Sequence, residues 1–405
     1  MKPAKLVIFD DEGGKWGPLT DLQPIFDLRS GAVTTRERIE RVLGQTASAL
    51  IVPKALQAVV AQRSGINVNQ LAHNGETILA NGRWLAVNGV ECVRGLSVGS
   101  VLRQTDGQVV AARLGAVSLP ILEDRLFSDL TAVETDEQLL VERPWEIVEG
   151  LDEALRADLA ASKLPRFLEQ IPGVPTVGDH PIRVASSAKL HPMVLINAEK
   201  GPVAIDDGAI IGSYAVVAGP CYIGRDAVIA PHAHMRSVTV IGPSSVAAGE
   251  IANTVIQGYS NKSHAGFLGH SIVGRWVNFG ANTTVSNLKN TYGRVRVQLD
   301  ADGTEEDSEL IKVGPIIGDY VRTAIGTRLA TGACVGTGSM LAVSGFTPKF
   351  IDRFSFLTDA GCQPHDIEGL LAIAERMMSR RGCQLLPAER ARFRYLASPA
   401  DSAIV

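Results

Sequence analysis

The amino-acid sequence predicts an α/β N-terminal region, then a three-sided parallel β-helix, then C-terminal helices. Three observations carry that expectation. Large apolar residues recur at every sixth position, at Ile205, Ile211, Val217, Ile223, Ile229, Met235 and Ile241, and again at Ile311, Ile317, Leu329, Val335 and Leu341, with Thr323 the one exception in phase. Glycine often follows them, as in Ile211-Gly212, Ile223-Gly224, Ile241-Gly242 and Ile317-Gly318. Forty glycines against 5% aromatics suit tight coil corners better than a broad aromatic core. A period of six fits neither the helical repeat nor the two-residue alternation of a hairpin strand. It is the signature of hexapeptide coils, in which three short strands make one triangular turn and each hexad sends one apolar side chain inward. Stacked coils then lie roughly 4.8 Å apart.

The 405 residues leave room for two or three domains. A net charge of −4 gives no electrostatic case for nucleic acid or an anionic membrane. Five scattered cysteines without a CxxC pair read as reduced thiols of a cytosolic protein. The start, MKPAKLVIFDDEGG, has no apolar signal core, and no stretch approaches a membrane span. A soluble, cytoplasmic protein is expected.

Residues 1–145 have mixed α/β texture. Lys5 to Phe9 and Ala49 to Val52 read as buried strands, and Thr34 caps an amphipathic helix over Thr35 to Leu43. A second helical run covers Leu56 to Gln62, and further strands are expected at Gly82 to Val87 and around Val109 to Ala112. Residues 146–180 read as a linker helix ending near Leu164, followed by a Pro/Gly-broken loop. Residues 181–350 form the β-helix, interrupted near 288–310, where Val295, Val297 and Leu299 alternate before Asp302-Gly303 and predict a projecting β-arm. Residues 351–405 are a helical tail, beginning at an Asp366 cap and expected to cover the open end of the solenoid.

The segment Gly258-Tyr259-Ser260-Asn261-Lys262-Ser263-His264-Ala265-Gly266-Phe267-Leu268-Gly269-His270 breaks the six-residue rhythm and is dense in polar groups, for which a solenoid wall has no structural need. With Trp276 to Thr283, Ser286-Asn287-Leu288-Lys289-Asn290 and Phe346-Thr347-Pro348-Lys349-Phe350, it resembles a variant bacterial branch of the bifunctional N-acetylglucosamine-1-phosphate uridylyltransferase/glucosamine-1-phosphate acetyltransferase family. Pro18-Leu19-Thr20, Leu28-Arg29-Ser30-Gly31 and Arg36-Glu37-Arg38 extend the resemblance to the N-terminus. It implies a nucleotidyltransferase-like α/β domain, a left-handed β-helix acyltransferase domain, a homotrimer with its active site in the groove between prisms, and acetyl-CoA as cosubstrate. His264 falls on the family's general base, and a neutral imidazole accepts the amine proton as the C–N bond forms. Asn278 and Asn287 fall on amino-sugar contacts, Lys262, Arg236 and Glu250 on the acceptor site, and Ala281 on an acetyl-CoA contact.

The chain also departs from that pattern. Phe267 stands for the family's sugar-phosphate tyrosine, Ala252 for a lysine of the preceding coil, and His234 for the first arginine of an Arg-x-Arg whose second is Arg236. Phosphate recognition at these positions is weakened, which leaves open a different amino sugar or a sugar nucleotide as acceptor beside an amino-sugar phosphate of the glucosamine-1-phosphate kind. The opening Val7-Ile8-Phe9-Asp10-Asp11-Glu12-Gly13-Gly14-Lys15-Trp16 lacks the usual Gly-x-Gly-Thr-Arg loop. Lys15, Arg29 and Arg36 are the nucleotide-binding candidates, Mg²⁺ is implied if that domain works, and Asp10 and Asp11 are its candidate ligands. Two other readings stand beside acyl transfer: a non-catalytic trimeric scaffold that binds a sugar nucleotide, and a zinc-dependent β-helix hydratase resembling carbonic anhydrase, drawing on His232, His234, His264 and His270. None of these histidines is assigned as a metal ligand.

Overall fold

The computed structural model describes residues 4–70, 72–73, 75–115, 117–118, 125–167 and 171–398; residues 399–405 of the expected tail lie outside them. The chain forms two compact units. The first holds Met1–Lys15, Leu22–Arg29 and Val33–Arg143, and the second holds Trp16–Asp21, Ser30–Ala32 and Pro144–Val405.

The first unit is built on a seven-stranded sheet. Its strands are β1 (Lys5–Phe9), β2 (Ala47–Ile51), β3 (Asn67–Val68), β4 (Thr77–Asn81), β5 (Ser100–Gln104), β6 (Val109–Leu114) and β7 (Thr131–Thr135), in the order β3-β2-β1-β4-β6-β5-β7. β1 pairs in parallel with both β2 and β4, so the chain leaves its C-terminal end at the place where strand order reverses. Helix α1 (Thr35–Leu43) starts at the expected cap: Thr34 accepts from the Glu37 amide, and Glu37 accepts from the Thr34 amide. α2 (Gln57–Ser64) follows β2. The strand expected at Gly82 to Val87 is a turn instead, with Trp84 making an isolated bridge to Leu140. β4 ends at Asn81, and Gly82 packs so tightly over Phe26 that a side chain there would collide with it.

The second unit is a parallel β-helix. Its first face stacks Ile205, Ile223, Ile241, Ile256, Val273, Ile317, Val335 and Ile351 in register. The second stacks Leu190, Ile211, Ile229, Ala247 and Lys262, and the third Ile196, Val217, Met235, Ile251 and Leu268. The hexad residues from Ile205 to Ile241 are fully buried. At Thr323 the inward side chain is polar, and its hydroxyl is satisfied by that of Thr283 at 2.7 Å. Ile311 does not join the series, since half of its surface faces solvent, so the second run begins at Ile317. The rhythm breaks before Gly258, not within the polar segment: Ile241 pairs with Ile256, 15 residues on, where Ile223 to Ile241 takes 18, and Ile256, Lys262 and Leu268 are again six apart. Many corners use left-handed backbone on non-glycine residues, among them Tyr259, Trp276 and Tyr320, whose rings consequently stack up one edge of the prism.

Coverage of the outer wall departs from expectation in three places. The linker helix is two helices broken at Gly150, α3 (Pro144–Glu149) and α4 (Leu151–Ala160). Leu151, Leu155 and Leu159 of α4 cover Ala204, Val240 and Val255, which point outward from the first face. The β-arm is present, Arg296–Gln298 pairing with Glu305–Asp307, but it does not project: Val295 and Val297 are fully buried and Val295 packs on Gly332. Helices α5 (Ile367–Ser379, capped by Asp366) and α6 (Pro387–Leu396) lie along the aromatic corner, where Phe393 meets Tyr320 and Phe354. On the second face Gly361–Pro364 adds an outermost strand, antiparallel to Ser355–Thr358. Trp16–Asp21 also packs here: Asp21 is buried, accepts two bonds from Arg353 Nε at 2.7 and 2.8 Å, and accepts one from Thr337 Oγ1 at 2.6 Å.

Candidate functional site

The coil that follows the shortened one turns its corner at Ser263-His264-Ala265, between the second and third faces. His264 is exposed, and its ring makes no hydrogen bond to another described residue. Its backbone is nevertheless held, because Lys262 Nζ donates to the His264 carbonyl at 2.9 Å and to the Ala248 carbonyl at 3.1 Å.

Lys262 is placed differently from the expectation. It occupies an inward hexad position, in register with Ala247, and only 3% of it is exposed. Burial pushes its pKa down to about 8. As placed, the ammonium ties two backbone carbonyls inside the prism and does not reach an outside phosphate. The density of polar residues flagged this coil, but only the register shows that the lysine faces in.

Asn278 and Asn287 lie on different sides of the His264 corner. Asn278 points outward from the second face, in a column with Asn261 and Arg322, and accepts from Asn261 Nδ2 at 3.5 Å. Asn287 lies beyond the third face, its Nδ2 placed 2.7 Å from His270 Nδ1. An amide nitrogen only donates, so that contact keeps Nδ1 of His270 unprotonated. Burial, then the charges of Lys312 and Arg236, lower the His270 pKa to about 4. The Phe267 ring lies over Gly269, where any side chain would collide with it, and reaches toward Asn287. Arg236 and Glu250 pair with each other at 2.7 Å on the exposed third face, and His234 stands in register with Glu250. Ala281 sits at the corner one coil beyond His264, where its carbonyl accepts from the Gly326 amide at 2.7 Å. Sequence reasoning missed His270 as a partner of Asn287; the αL backbone that aims it is not visible in a residue pattern.

The four histidines considered for zinc are spread out. His232 stacks on Tyr214 with ring centroids 5.0 Å apart, His234 faces outward, His264 caps a corner and His270 is engaged with Asn287. Among the described residues, no group of three or more His, Cys, Asp or Glu side chains is placed to hold a metal ion.

In the first unit, the loop after β1 has its amides engaged. Glu12 N donates to Asp10 Oδ1, Gly13 N to Asp11 Oδ1, and Lys15 N to the Glu142 carbonyl. Gly14 adopts φ +75°, and a side chain there would strike that carbonyl. Asp11 is spent on Arg83, which donates to it at 2.8 and 2.6 Å, and on Asn81 at 2.8 Å. Although burial raises it, these partners leave the Asp11 pKa below the usual value. Burial raises that of Asp10 to about 6, against its bonds from Ile25 and Glu12. Asp11 is thus neutralised by Arg83, and Asp10 gives its oxygens to the Glu12 and Ile25 amides, which does not fit two carboxylates free to hold Mg²⁺. Arg36 pairs with Asp27 at 2.9 Å, and Arg29 bridges to Thr34 through its backbone.

Comparison with known proteins matches two regions of the chain, the first of which runs past Arg143 into the second unit. Residues 6–166 match the family model described as sugar nucleotidyl transferase, and residues 202–237 match that described as bacterial transferase hexapeptide (six repeats). A sugar nucleotidyltransferase-family domain therefore precedes hexapeptide repeats. The chain is similar to the bifunctional protein GlmU of Methanococcus vannielii, 34% identical over 136 residues, 34% of this chain and 31% of the relative. It is also similar to a bifunctional sugar-1-phosphate nucleotidylyltransferase/acetyltransferase of Sulfurisphaera tokodaii, 32% identical over 139 residues, 34% of each chain. The match spans about a third of the length of these curated relatives. A hexapeptide transferase family protein from Anaplasma phagocytophilum aligns with 57% of this chain and 97% of its own, at 15% identity and a TM-score of 0.23, from which no functional conclusion follows. No helix among the described residues is long and apolar enough to cross a membrane.

Proposed function

We propose that the β-helical unit is an acetyl-CoA-dependent N-acyltransferase acting on an amino-sugar phosphate of the glucosamine-1-phosphate kind or on a sugar nucleotide. On this reading the protein supplies UDP-N-acetylglucosamine or a related cell-envelope precursor, as a cytoplasmic homotrimer. The observation that carries it is the His264 ring, exposed and without a hydrogen-bond partner among the described residues, on a corner whose backbone is fixed from inside by Lys262. A general base needs both properties: an open lone pair and a fixed position.

The amine of the acceptor attacks the thioester carbonyl. His264 takes the proton that leaves nitrogen as the C–N bond forms, and the thiolate of CoA departs. Asn278 orients the sugar from the second face. Asn287, held by His270, does so across the third face, on the same or a neighbouring prism. Ala281 leaves room for the acyl group on the next corner. Arg236 carries charge on the third face but is already paired with Glu250.

Nucleotidyl transfer by the first unit is the second activity that the relatives' names suggest, and uridylyl transfer is the form the family resemblance implies. The engagement of its loop amides by Asp10, Asp11 and Glu142 weighs against it. The test is a mass-spectrometric screen of amino sugars, their 1-phosphates and sugar nucleotides with acetyl-CoA, with and without UTP and Mg²⁺. A product heavier by one acetyl group, lost in His264→Ala, supports the reading. Saturable ligand binding without any CoA-dependent product favours the scaffold, and stoichiometric zinc in the purified protein favours the hydratase.

A further inference from the structure

A cavity of about 500 Å³ lies between the second face of the prism and α5, and its charged lining is all of one sign. Arg322 enters from the prism wall, one coil beyond Asn278 in the same outward column. Arg380 and Arg381 enter from the C-terminal end of α5. None of the three forms an ion pair with a carboxylate among the described residues: Arg322 touches the Met377 sulfur, and Arg381 donates to Asn261 Oδ1 at 2.7 Å. Burial, followed by the nearby Arg376 charge, lowers the Arg322 pKa to about 10; burial, followed by Arg380, lowers that of Arg381. Arginines at a helix C-terminus complement its dipole, but Arg322 belongs to the prism and has no such reason to be there. Converging guanidiniums without an acid repel one another unless an anion fills the space between them.

We propose that this cavity binds the phosphoryl group of the acceptor. Guanidinium forks suit the paired oxygens of a phosphate or diphosphate. Asn261, Asn278 and the ring of Trp276 supply a polar and aromatic wall beside them. Asn278 connects the cavity to the acyl-transfer site, and to that extent the assignment rests on the acyltransferase reading. It also accounts for the departures at Phe267, Ala252 and His234: the charge absent from the third face is present on the second. The shared chemistry is a phosphomonoester or diphosphate, carried either by an amino-sugar phosphate or by a sugar nucleotide.

Isothermal calorimetry on the full chain, without acetyl-CoA, tests this with glucosamine 1-phosphate, UDP and unphosphorylated glucosamine as probes. At least one phosphorylated probe should bind, and whichever binds tighter names the source of the phosphate. The double variant R380Q/R381Q should weaken that binding about tenfold or more, with an unchanged circular-dichroism spectrum. R380Q alone, at an exposed position, should weaken it in the same direction if the double variant folds poorly. Equal affinity in wild type and variants, or no binding of either phosphorylated probe, overturns the proposal. Phosphate binding that follows this pattern with no acetylation of any amine would instead sink the acyltransferase reading alone. Acetylation of unphosphorylated amino sugar at a rate indifferent to R380Q/R381Q would sink the cavity assignment alone.

Discussion

Replacing Lys262 by Met should remove a distinct pH dependence of stability. The side chain sits at an inward hexad position with 3% exposure, and burial pulls its pKa from 10.5 to about 8. Between those values the unfolded chain holds a proton that the folded chain has released, so stability rises with pH across that window. A difference of about 2.5 pKa units corresponds to about 3 kcal/mol. The bonds from Nζ to the Ala248 and His264 carbonyls favour the charged form and reduce that figure. The wild type should therefore gain about 1–3 kcal/mol on Lys262→Met between pH 8 and 10.5. Urea unfolding of both proteins across that range reads the difference and cancels the titration of every other group. A difference that stays flat would show the ammonium to be in water, and the register that places it inside would be wrong.

The remaining expectations concern other parts of the chain. Asp10 has a raised pKa near 6, so the stability it lends is present below about pH 4 and lost as pH rises through 6; Asp10→Asn should flatten that decline in acid unfolding curves. His270 should titrate near pH 4 by NMR and stay neutral at pH 6, and Asn287→Ala should not convert it to an imidazolium at neutral pH, since burial is the larger cause. Asp21→Ala leaves the Arg353 guanidinium without its carboxylate and should lower stability by about 2–3 kcal/mol in urea; a loss below 0.5 kcal/mol would mean that Trp16–Asp21 is not anchored there.

The prism was legible because its period is a direct image of its geometry: each hexad from Ile205 to Ile241 meets the core at the same phase. The capping box at Thr34 and the cap at Asp366 were legible for the same reason, as local chemistry with a fixed spacing. What failed needed register or distance. Lys262 looks like a groove cation until the 15-residue coil places it under Ala247. Ile311 fits the six-residue count but follows the arm, whose insertion resets the phase. Gly82 to Val87 reads as a strand, and the close packing of Gly82 on Phe26 makes it a turn. At the candidate site, His264, Asn278 and Asn287 were named from the sequence as candidates, through the family resemblance. The His270 partner and the α5 arginines were not, since they meet the prism only through a corner conformation and a helix more than a hundred residues away.

Acyl transfer under single-turnover conditions, in wild type and His264→Asn, tests the central claim most directly. With acetyl-CoA affinity measured separately, the acetylation rate should fall about 10²–10⁴-fold while CoA binding changes little. A variant that acetylates at the wild-type rate would contradict the assignment of His264 as the base.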